Sequence, residues 1–102
     1  MNQEIDDFKT KVLFVLSHLD SGEVISYGEL ARQAEHPNHA RQVGQILKRL
    51  PRDTQLPWHR VVNSKRQISF SEGSAAYYRQ KIALEAEGWI ICGQRLLAKE
   101  AP

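Results

Sequence analysis

The chain has 102 residues, 41% of them hydrophobic, and a formal net charge of +2, which fits one domain with a modest core. Its longest purely apolar run, Val12–Leu16, is far shorter than the roughly 20 residues of a membrane span, and its polar, acidic first residues are unlike a secretory signal. A single cysteine excludes an internal disulfide and a multi-cysteine zinc site. We therefore expect one domain over residues 1–102, monomeric and cytoplasmic, with no metal, cofactor or membrane partner.

The first half of the chain predicts three helices. A first helix is predicted over about residues 2–19, because one amphipathic face is formed by Ile5, Phe8, Val12, Leu16 and Leu19. Ser26 and Glu29 form a capping box, in which each side chain binds the other backbone, and begin a short helix that ends before Pro37. Asn38 is the predicted N-cap of a third helix that reaches about Arg49. The residues predicted to face inward from it are Ala40, Val43, Gly44, Leu47 and Leu50.

The second half predicts a small wing and one more helix. Residues 57–70 alternate in polarity, which favours a short hairpin or wing around residues 64–66. Residues 74–87 are predicted to be helical up to a stop at Gly88, with Ala75, Tyr78 and Ile82 on one side. Residues 89–92 are predicted to be a final short strand. The expected fold is mainly α with a short β wing, a winged helix-turn-helix.

The charge is unevenly distributed along this predicted fold. Residues 36–66 hold seven basic residues and one acid, Asp53, whereas the rest holds seven basic residues and eleven acids. A basic centre between acidic ends is typical of a nucleic-acid-binding face. A solvated basic surface on another kind of soluble domain gives the same distribution, so charge alone leaves both interpretations open.

Four short motifs occur in a fixed order along the chain. They are Ser26-Tyr27-Gly28, Ala40-Arg41-Gln42-Val43-Gly44, Pro57-Trp58-His59-Arg60-Val61-Val62 and Glu87-Gly88. In order and spacing they resemble the S-Y-G, A-R-A-V-G, P-C-H-R-V and E-G motifs of the C-terminal DNA-binding domain of O6-alkylguanine-DNA alkyltransferases. The resemblance extends from about residue 5 to residue 92 and does not include that family's N-terminal domain.

Trp58 departs from the transferase pattern in a way that bears on function. Transferases use the cysteine of P-C-H-R-V as the thiolate that accepts the alkyl group. A tryptophan there resembles the alkyltransferase-like proteins, which bind alkylated guanine without repairing it and mark it for nucleotide excision repair. The resemblance implies a non-enzymatic sensor whose partners are double-stranded DNA containing O6-alkylguanine and nucleotide excision repair proteins. The one thiol, Cys92, lies in an apolar segment and is interpreted as a small buried hydrophobe.

The resemblance also assigns roles to individual residues. Arg41 becomes the finger that replaces a base flipped out of the stack, with the third helix in the minor groove. The implied lesion pocket is lined by Tyr27, Trp58, Val61 and Ser71, the last on a lid over residues 69–74. The indole of Trp58 would form an apolar wall beside the alkyl group and tolerate alkyl groups of different size. Without the motifs, Tyr27 and Trp58 would be interpreted as core aromatics and Arg41 as a phosphate contact.

The remaining implied sites are DNA contacts and a structural remnant. The expected DNA contacts are Ser26, Tyr27, Ala40, Gln42, Gln45, Lys48 and Lys65. His59 and Glu87 match the relay that activates the transferase cysteine, and with Arg60 we interpret them as structural, because no thiol remains to be activated. No residue is expected to be catalytic. Leu50 is a further departure, because transferases usually have asparagine at that position.

Two alternatives remain open from the sequence. One is a winged-helix transcription regulator, which would place several base-reading side chains along its third helix. The small residues Ala40, Val43 and Gly44 instead favour close approach of the backbone to DNA. The other is a residual alkyl transferase or hydrolase that uses His59 and Glu87 with water.

Overall fold

The computed structural model describes the backbone of residues 3–97 and the side chains of residues 7–97. The helices are α1 (Gln3–Ser17), α2 (Tyr27–Gln33), α3 (Ala40–Lys48) and α4 (Ala75–Ala86), and residues Trp58–Arg60 form a 3-10 turn. The strands are β1 (Ile25–Ser26), β2 (Val61–Val62), β3 (Ile90–Cys92) and β4 (Arg95–Leu97). The predicted start of α1, Asn2, lies outside the described residues. The predicted fold, mainly helical with a small strand wing, is confirmed.

Helices α1, α2 and α3 enclose the larger hydrophobic core. Its fully buried members include Val12 and Leu16 from α1, Leu30 from α2 and Val43 from α3. Burial of such side chains contributes about 1.5–3 kcal/mol each. Of the predicted inward residues of α3 only Val43 is fully buried, whereas Leu47 and Leu50 pack partly buried against the same core. Within residues 3–97 no helix is both long and apolar enough to span a membrane.

The starts of α2 and α3 differ from the predicted caps. The Ser26 hydroxyl accepts a hydrogen bond from the Glu29 amide at 3.0 Å, as predicted. The reciprocal half of the capping box is wrong, because the Glu29 carboxylate turns along the helix to Arg32 and Gln33. Helix α3 has His39 rather than Asn38 as its N-cap, without a side-chain capping bond. One good cap nevertheless fixes Tyr27 as the first residue of α2.

The wing is built differently from the predicted hairpin. Strand β2 pairs in parallel with β1, so that Val61 lies opposite Ile25. After the turn, Gln67 bridges to Arg95 instead of folding back on β2. Strands β3 and β4 form the antiparallel hairpin, so residues 89–92 are not the final strand. The two-residue turn between β3 and β4 includes Gly93 at φ 61°, a turn pattern that could have predicted this hairpin.

Helix α4 turns a different face inward from the one predicted. Tyr78 and Ile82 are 49% and 64% exposed, whereas Tyr77, Gln80 and Leu84 are buried in a second core with Trp89. The Gln80 amide donates to the carbonyl oxygens of His59 and Val61, both at 2.9 Å. The stop at Gly88 is confirmed by its φ of 97°. This anchoring fixes the 3-10 turn against α4 and brings Glu87 next to it.

Cys92 corrects a further expectation. The thiol is exposed on β3, so the interpretation as a buried hydrophobe is wrong. The hairpin of β3 and β4 has only two strands, and side chains on its outer face remain in solvent.

Candidate functional site

A cavity of about 640 Å³ lies between α3 and the segment of residues 58–70. Its size is in the range of small-molecule sites. The residues that line this Trp58 cavity are Tyr27, Ala40, Arg41, Gly44, Gln45, Leu47, Lys48, Trp58, Ser69 and Phe70. The second and third motifs of the sequence and the tyrosine of the first therefore meet in one concave surface.

Three aromatic rings form the inner part of the Trp58 cavity. Trp58 is half-buried, and its ring meets Phe70 edge to face, with 6.3 Å between centroids and 82° between planes. The hydroxyl groups of Tyr27 and Ser69 are hydrogen-bonded at 2.9 Å, which joins the start of α2 to the loop that carries Phe70. An apolar, aromatic cleft of this kind can accept a flat ring system.

A cationic edge borders the aromatic part of the cavity. Arg41, Gln45 and Lys48 are exposed and recur at helical spacing, so they share one edge of α3. No ion pair connects Arg41 or Lys48 to another described side chain. Both cations therefore remain available to a polyanion that approaches this edge.

The structure does not bring all the predicted pocket residues into the cavity. Val61 is only 1% exposed and packs in the larger core, because its strand pairs with β1. Ser71 is exposed and does not line the cavity. Ser69 and Phe70, which sequence analysis did not single out, occupy the place expected for Ser71. Phe70 is the one aromatic in the predicted lid segment, and that feature could have identified it.

Some of the predicted DNA contacts also lie outside the Trp58 cavity. Gln42 lies on a neighbouring face of α3 and lines a different cavity. Lys65 is exposed in the turn that Asn63 closes by accepting hydrogen bonds from the amides of Lys65 and Gln67 at 2.9 and 3.0 Å. Ser26 is half-buried, and its hydroxyl is engaged in capping α2.

Behind Trp58, three side chains form a compact polar group that we call the Glu87 cluster. His59 donates from Nε2 to Glu87 Oε2 at 2.8 Å, and Arg60 donates from Nε to Oε1 at 3.0 Å and from Nη2 to Oε2 at 2.6 Å. The Gly22 amide also donates to Oε1 at 3.0 Å, and Arg60 Nη1 reaches the Leu19 carbonyl at 2.7 Å. Both carboxylate oxygens are thus engaged, and the cluster ties the loop after α1, the 3-10 turn and the end of α4 together.

The electrostatics of the cluster favour an ion pair. Burial by itself would raise the pKa of Glu87, but hydrogen bonds from Arg60, His59 and the Gly22 amide lower that pKa to about 2. The same hydrogen bond to Glu87 raises the pKa of Arg60 above its usual value. Glu87 is therefore ionised at neutral pH and compensates a guanidinium that is only 14% exposed.

Neither the Glu87 cluster nor the Trp58 cavity contains a thiol. The residue that follows Pro57 is a tryptophan, and Cys92 does not line the cavity. Among the described residues, no group of three or more His, Cys, Asp or Glu side chains could hold a metal ion. Such a site can bind a ring and orient it, while its acid–base pair is engaged in structure.

Comparison with known proteins identifies the family to which the chain belongs. Residues 7–89 match the family described as 6-O-methylguanine DNA methyltransferase, DNA binding domain. The chain belongs to this family. The chain spans only 41% of the methylated-DNA–protein-cysteine methyltransferase of Pyrococcus furiosus, with which it is 35% identical.

Within the family, greater identity is found with alkyltransferase-like relatives. The chain is 48% identical to alkyltransferase-like protein 1 of Schizosaccharomyces pombe, over 82% of this chain and 78% of the relative. It is 43% identical to the DNA base-flipping protein of Escherichia coli, over 86% of this chain and 67% of the relative. The chain is thus an alkyltransferase-like, non-enzymatic member, with Trp58 in place of the family's reactive cysteine.

Solved structures agree with this assignment. S. pombe Atl1 in complex with damaged DNA containing O6-carboxymethylguanine superposes with a TM-score of 0.79 at 47% identity, over 85% of this chain and 81% of that one. The Mycobacterium tuberculosis O6-methylguanine methyltransferase gives a TM-score of 0.68 at 32% identity, over 79% of this chain and 48% of that one. The alkyltransferase-like fold therefore extends over most of the described chain.

Proposed function

We propose that this protein is a non-enzymatic sensor of O6-alkylguanine in duplex DNA, which binds the lesion from the minor groove and passes it to nucleotide excision repair. In this proposal it acts as a monomer in the cytoplasm, on the nucleoid when bound to DNA. Helix α3 approaches the groove, Arg41 replaces the flipped base, and the base enters the Trp58 cavity. Support comes from relatives, since one is named a DNA base-flipping protein and another was solved with alkylated DNA.

The observation that carries the proposal is the position of the cavity beside the cationic edge of α3. Arg41 and Lys48 line the same concavity as Trp58, Tyr27 and Phe70. Cations beside the opening can neutralise phosphates while the aromatic rings receive the base. A base that enters the cavity would therefore leave the duplex next to Arg41, which can fill the gap in the stack.

The absence of alkyl transfer has its own physical support. In the transferases that this chain resembles, a cysteine thiolate accepts the alkyl group, and the indole of Trp58 offers no comparable nucleophile. The histidine that would activate a thiol donates to Glu87, whose other hydrogen bonds come from Arg60 and Gly22. The cluster therefore keeps the relay partners in place as a support for the 3-10 turn beneath Trp58.

A titration of matched duplexes tests the proposal. Labelled duplexes that contain guanine or O6-methylguanine at one position would be followed by anisotropy at two salt concentrations, with protein fluorescence recorded in parallel. We expect tight binding only with the lesion, weakening of both complexes by salt, and quenching of Trp58 on lesion binding. The Trp58→Phe variant is the control, since it keeps an aromatic ring but removes the quenching signal.

Three outcomes would contradict the proposal. Equal affinity for damaged and undamaged duplexes at moderate salt would remove lesion recognition. A strong preference among undamaged sequences, independent of alkylation, would instead favour a winged-helix regulator. Loss of a radiolabelled methyl group from the DNA during incubation would instead indicate a residual hydrolase or transferase.

A further inference from the structure

A second cavity, of about 590 Å³, lies between α1 and α3 on a face of α3 adjacent to the Trp58 cavity. We call it the α1–α3 cavity. Phe8 and Leu13 contribute from α1, Ile46 and Arg49 from α3, and His36 and His39 from the connection between α2 and α3. Gln45 lines both cavities, so one side chain separates them at the surface. The function proposed above does not use this space.

The floor of the α1–α3 cavity is apolar and preformed. Phe8 is buried, and Leu13, Ile46 and Leu50 pack partly buried against the larger core. The Phe8 ring meets the rings of His36 and His39 with centroid separations of 5.1 and 5.3 Å. The two imidazoles meet each other at 5.1 Å, which makes a mutually packed group of three rings. A ligand would therefore find a shaped apolar surface rather than a flexible one.

The rim has the opposite character from the floor. Lys9 and Arg49 are exposed, and neither forms an ion pair with another described side chain. None of the residues that line the cavity is an aspartate or a glutamate. The complementary ligand has an apolar side chain for the floor and carboxylates beside it for the rim. A phosphate backbone would satisfy the cations but leave the apolar floor uncovered, so DNA fits this cavity less well than protein does.

We propose that the α1–α3 cavity is the docking site for an acidic segment of a partner protein, in which a leucine or phenylalanine is flanked by Asp or Glu. This partner would be the repair protein to which the lesion is passed, so the inference rests on the proposed function. The cavity shares Gln45 with the DNA-facing edge of α3 but does not include Arg41 or Trp58, so the segment and the DNA can bind at the same time. With DNA and the acidic segment on neighbouring faces of α3, the complex with the lesion could recruit a second protein.

Peptide binding to the intact, DNA-free protein tests this inference. The probe is a labelled peptide with one phenylalanine between aspartates and glutamates, titrated by anisotropy and by amide chemical shifts. We expect saturable binding, with shift changes at residues 8–13 and 42–50. Reversing the rim charge in the Lys9→Glu, Arg49→Glu double variant should weaken binding at least tenfold. Replacing the peptide's phenylalanine by serine should weaken it to a similar degree, since the floor would then stay empty.

The controls separate the possible occupants. Arg79→Glu and Lys65→Glu make the same charge changes on exposed residues outside the cavity and should leave peptide affinity within about twofold. Absence of saturable binding, or equal losses in the rim and control variants, would overturn the proposal. Complete displacement of the peptide by an undamaged duplex would assign the cavity to DNA, and the same shifts on raising protein concentration alone would assign it to a second copy. Since lesion binding is measured separately, failure here leaves the sensor function standing.

Discussion

The two sides of the 3-10 turn at Trp58–Arg60 lie in contrasting environments. Trp58 faces an open cavity that it shares with Tyr27 and Phe70, and its ring contacts that of Phe70 edge to face. His59 and Arg60 point into the Glu87 cluster, where charged and polar atoms are partly buried and hydrogen-bonded. Successive residues of a 3-10 turn project about 120° apart, so neighbours in sequence reach different sides of the chain.

The contrast explains how the motif can change function without losing its structure. The residue after Pro57 belongs to the cavity, and its side chain makes no hydrogen bond in the Glu87 cluster. Exchange of cysteine for tryptophan therefore alters what the cavity can do and leaves the support beneath it intact. If the cavity recognises the lesion as proposed above, mutations in the two regions should separate stability from DNA binding.

The largest effect is expected from emptying the centre of the cluster. Glu87→Ala leaves the largely buried Arg60 guanidinium without its counter-charge, so it should lower the free energy of unfolding by about 2–4 kcal/mol. Urea denaturation followed by circular dichroism measures this loss. Glu85→Ala, on the exposed side of the same helix, is the matched control and should cost less than about 0.5 kcal/mol. Equal losses would mean that the cluster does not carry stability.

A second effect concerns pH. The folded pKa of Glu87 is about 2, below the ordinary value of 4.5. A depressed pKa contributes stability that is fully present above pH 4.5 and is lost as the pH falls towards about 2. The loss should be roughly 2–3 kcal/mol. Thermal or urea unfolding between neutral pH and pH 2 would measure it, and Glu87→Gln should be less stable at neutral pH but show a shallower acid dependence.

On the recognition side, Arg41→Ala should weaken lesion binding by about 1–3 kcal/mol, because it removes the group proposed to fill the vacated stack. Lys65→Ala is the comparison, since Lys65 lies in the exposed turn away from the cavity. It should lower affinity for damaged and undamaged duplexes alike and reduce the salt dependence by about one charge. Anisotropy titrations of both variants measure the difference. If the two lose the same modest amount, Arg41 is only a phosphate contact.

The smallest expected effect is the gain from restoring a thiol. Trp58→Cys places sulfur beside an intact His59 and Glu87 pair, yet the cavity loses its aromatic wall and Leu50 stands where transferases usually have asparagine. Since a misplacement of about 1 Å can cost roughly a hundredfold in rate, we expect very slow methyl transfer or none, and weaker lesion binding. Transfer of label from methylated DNA to protein, with the unmodified protein as blank, measures this. Stoichiometric transfer within minutes would show that Trp58 alone separates sensor from enzyme.

Local sequence patterns predicted where the helices begin and end better than they predicted which side of each helix is buried. The cap at Ser26, the stop at Gly88 and the helical part of residues 40–48 follow from side chains that act within a few residues. The face of α4 was wrong, because its hydrophobic residues do not fall on one side and the buried Gln80 is selected by the carbonyls of His59 and Val61. The wing is present, but its predicted pairing was wrong, because Gln67 pairs with Arg95, nearly thirty residues later, rather than with β2.

The sequence by itself was enough to indicate the family, to show that the motif cysteine is absent, and to single out Arg41, Tyr27 and Trp58 as candidate site residues. Each of these depends only on which side chain stands in a motif. Tertiary structure decided which residues surround the cavity. Parallel pairing of β2 with β1 withdraws Val61 into the core, and the hydrogen bond between Tyr27 and Ser69 brings Phe70 rather than Ser71 to Trp58. The physical reason is that a motif fixes chemistry locally, whereas the direction of a side chain depends on long-range pairing and packing.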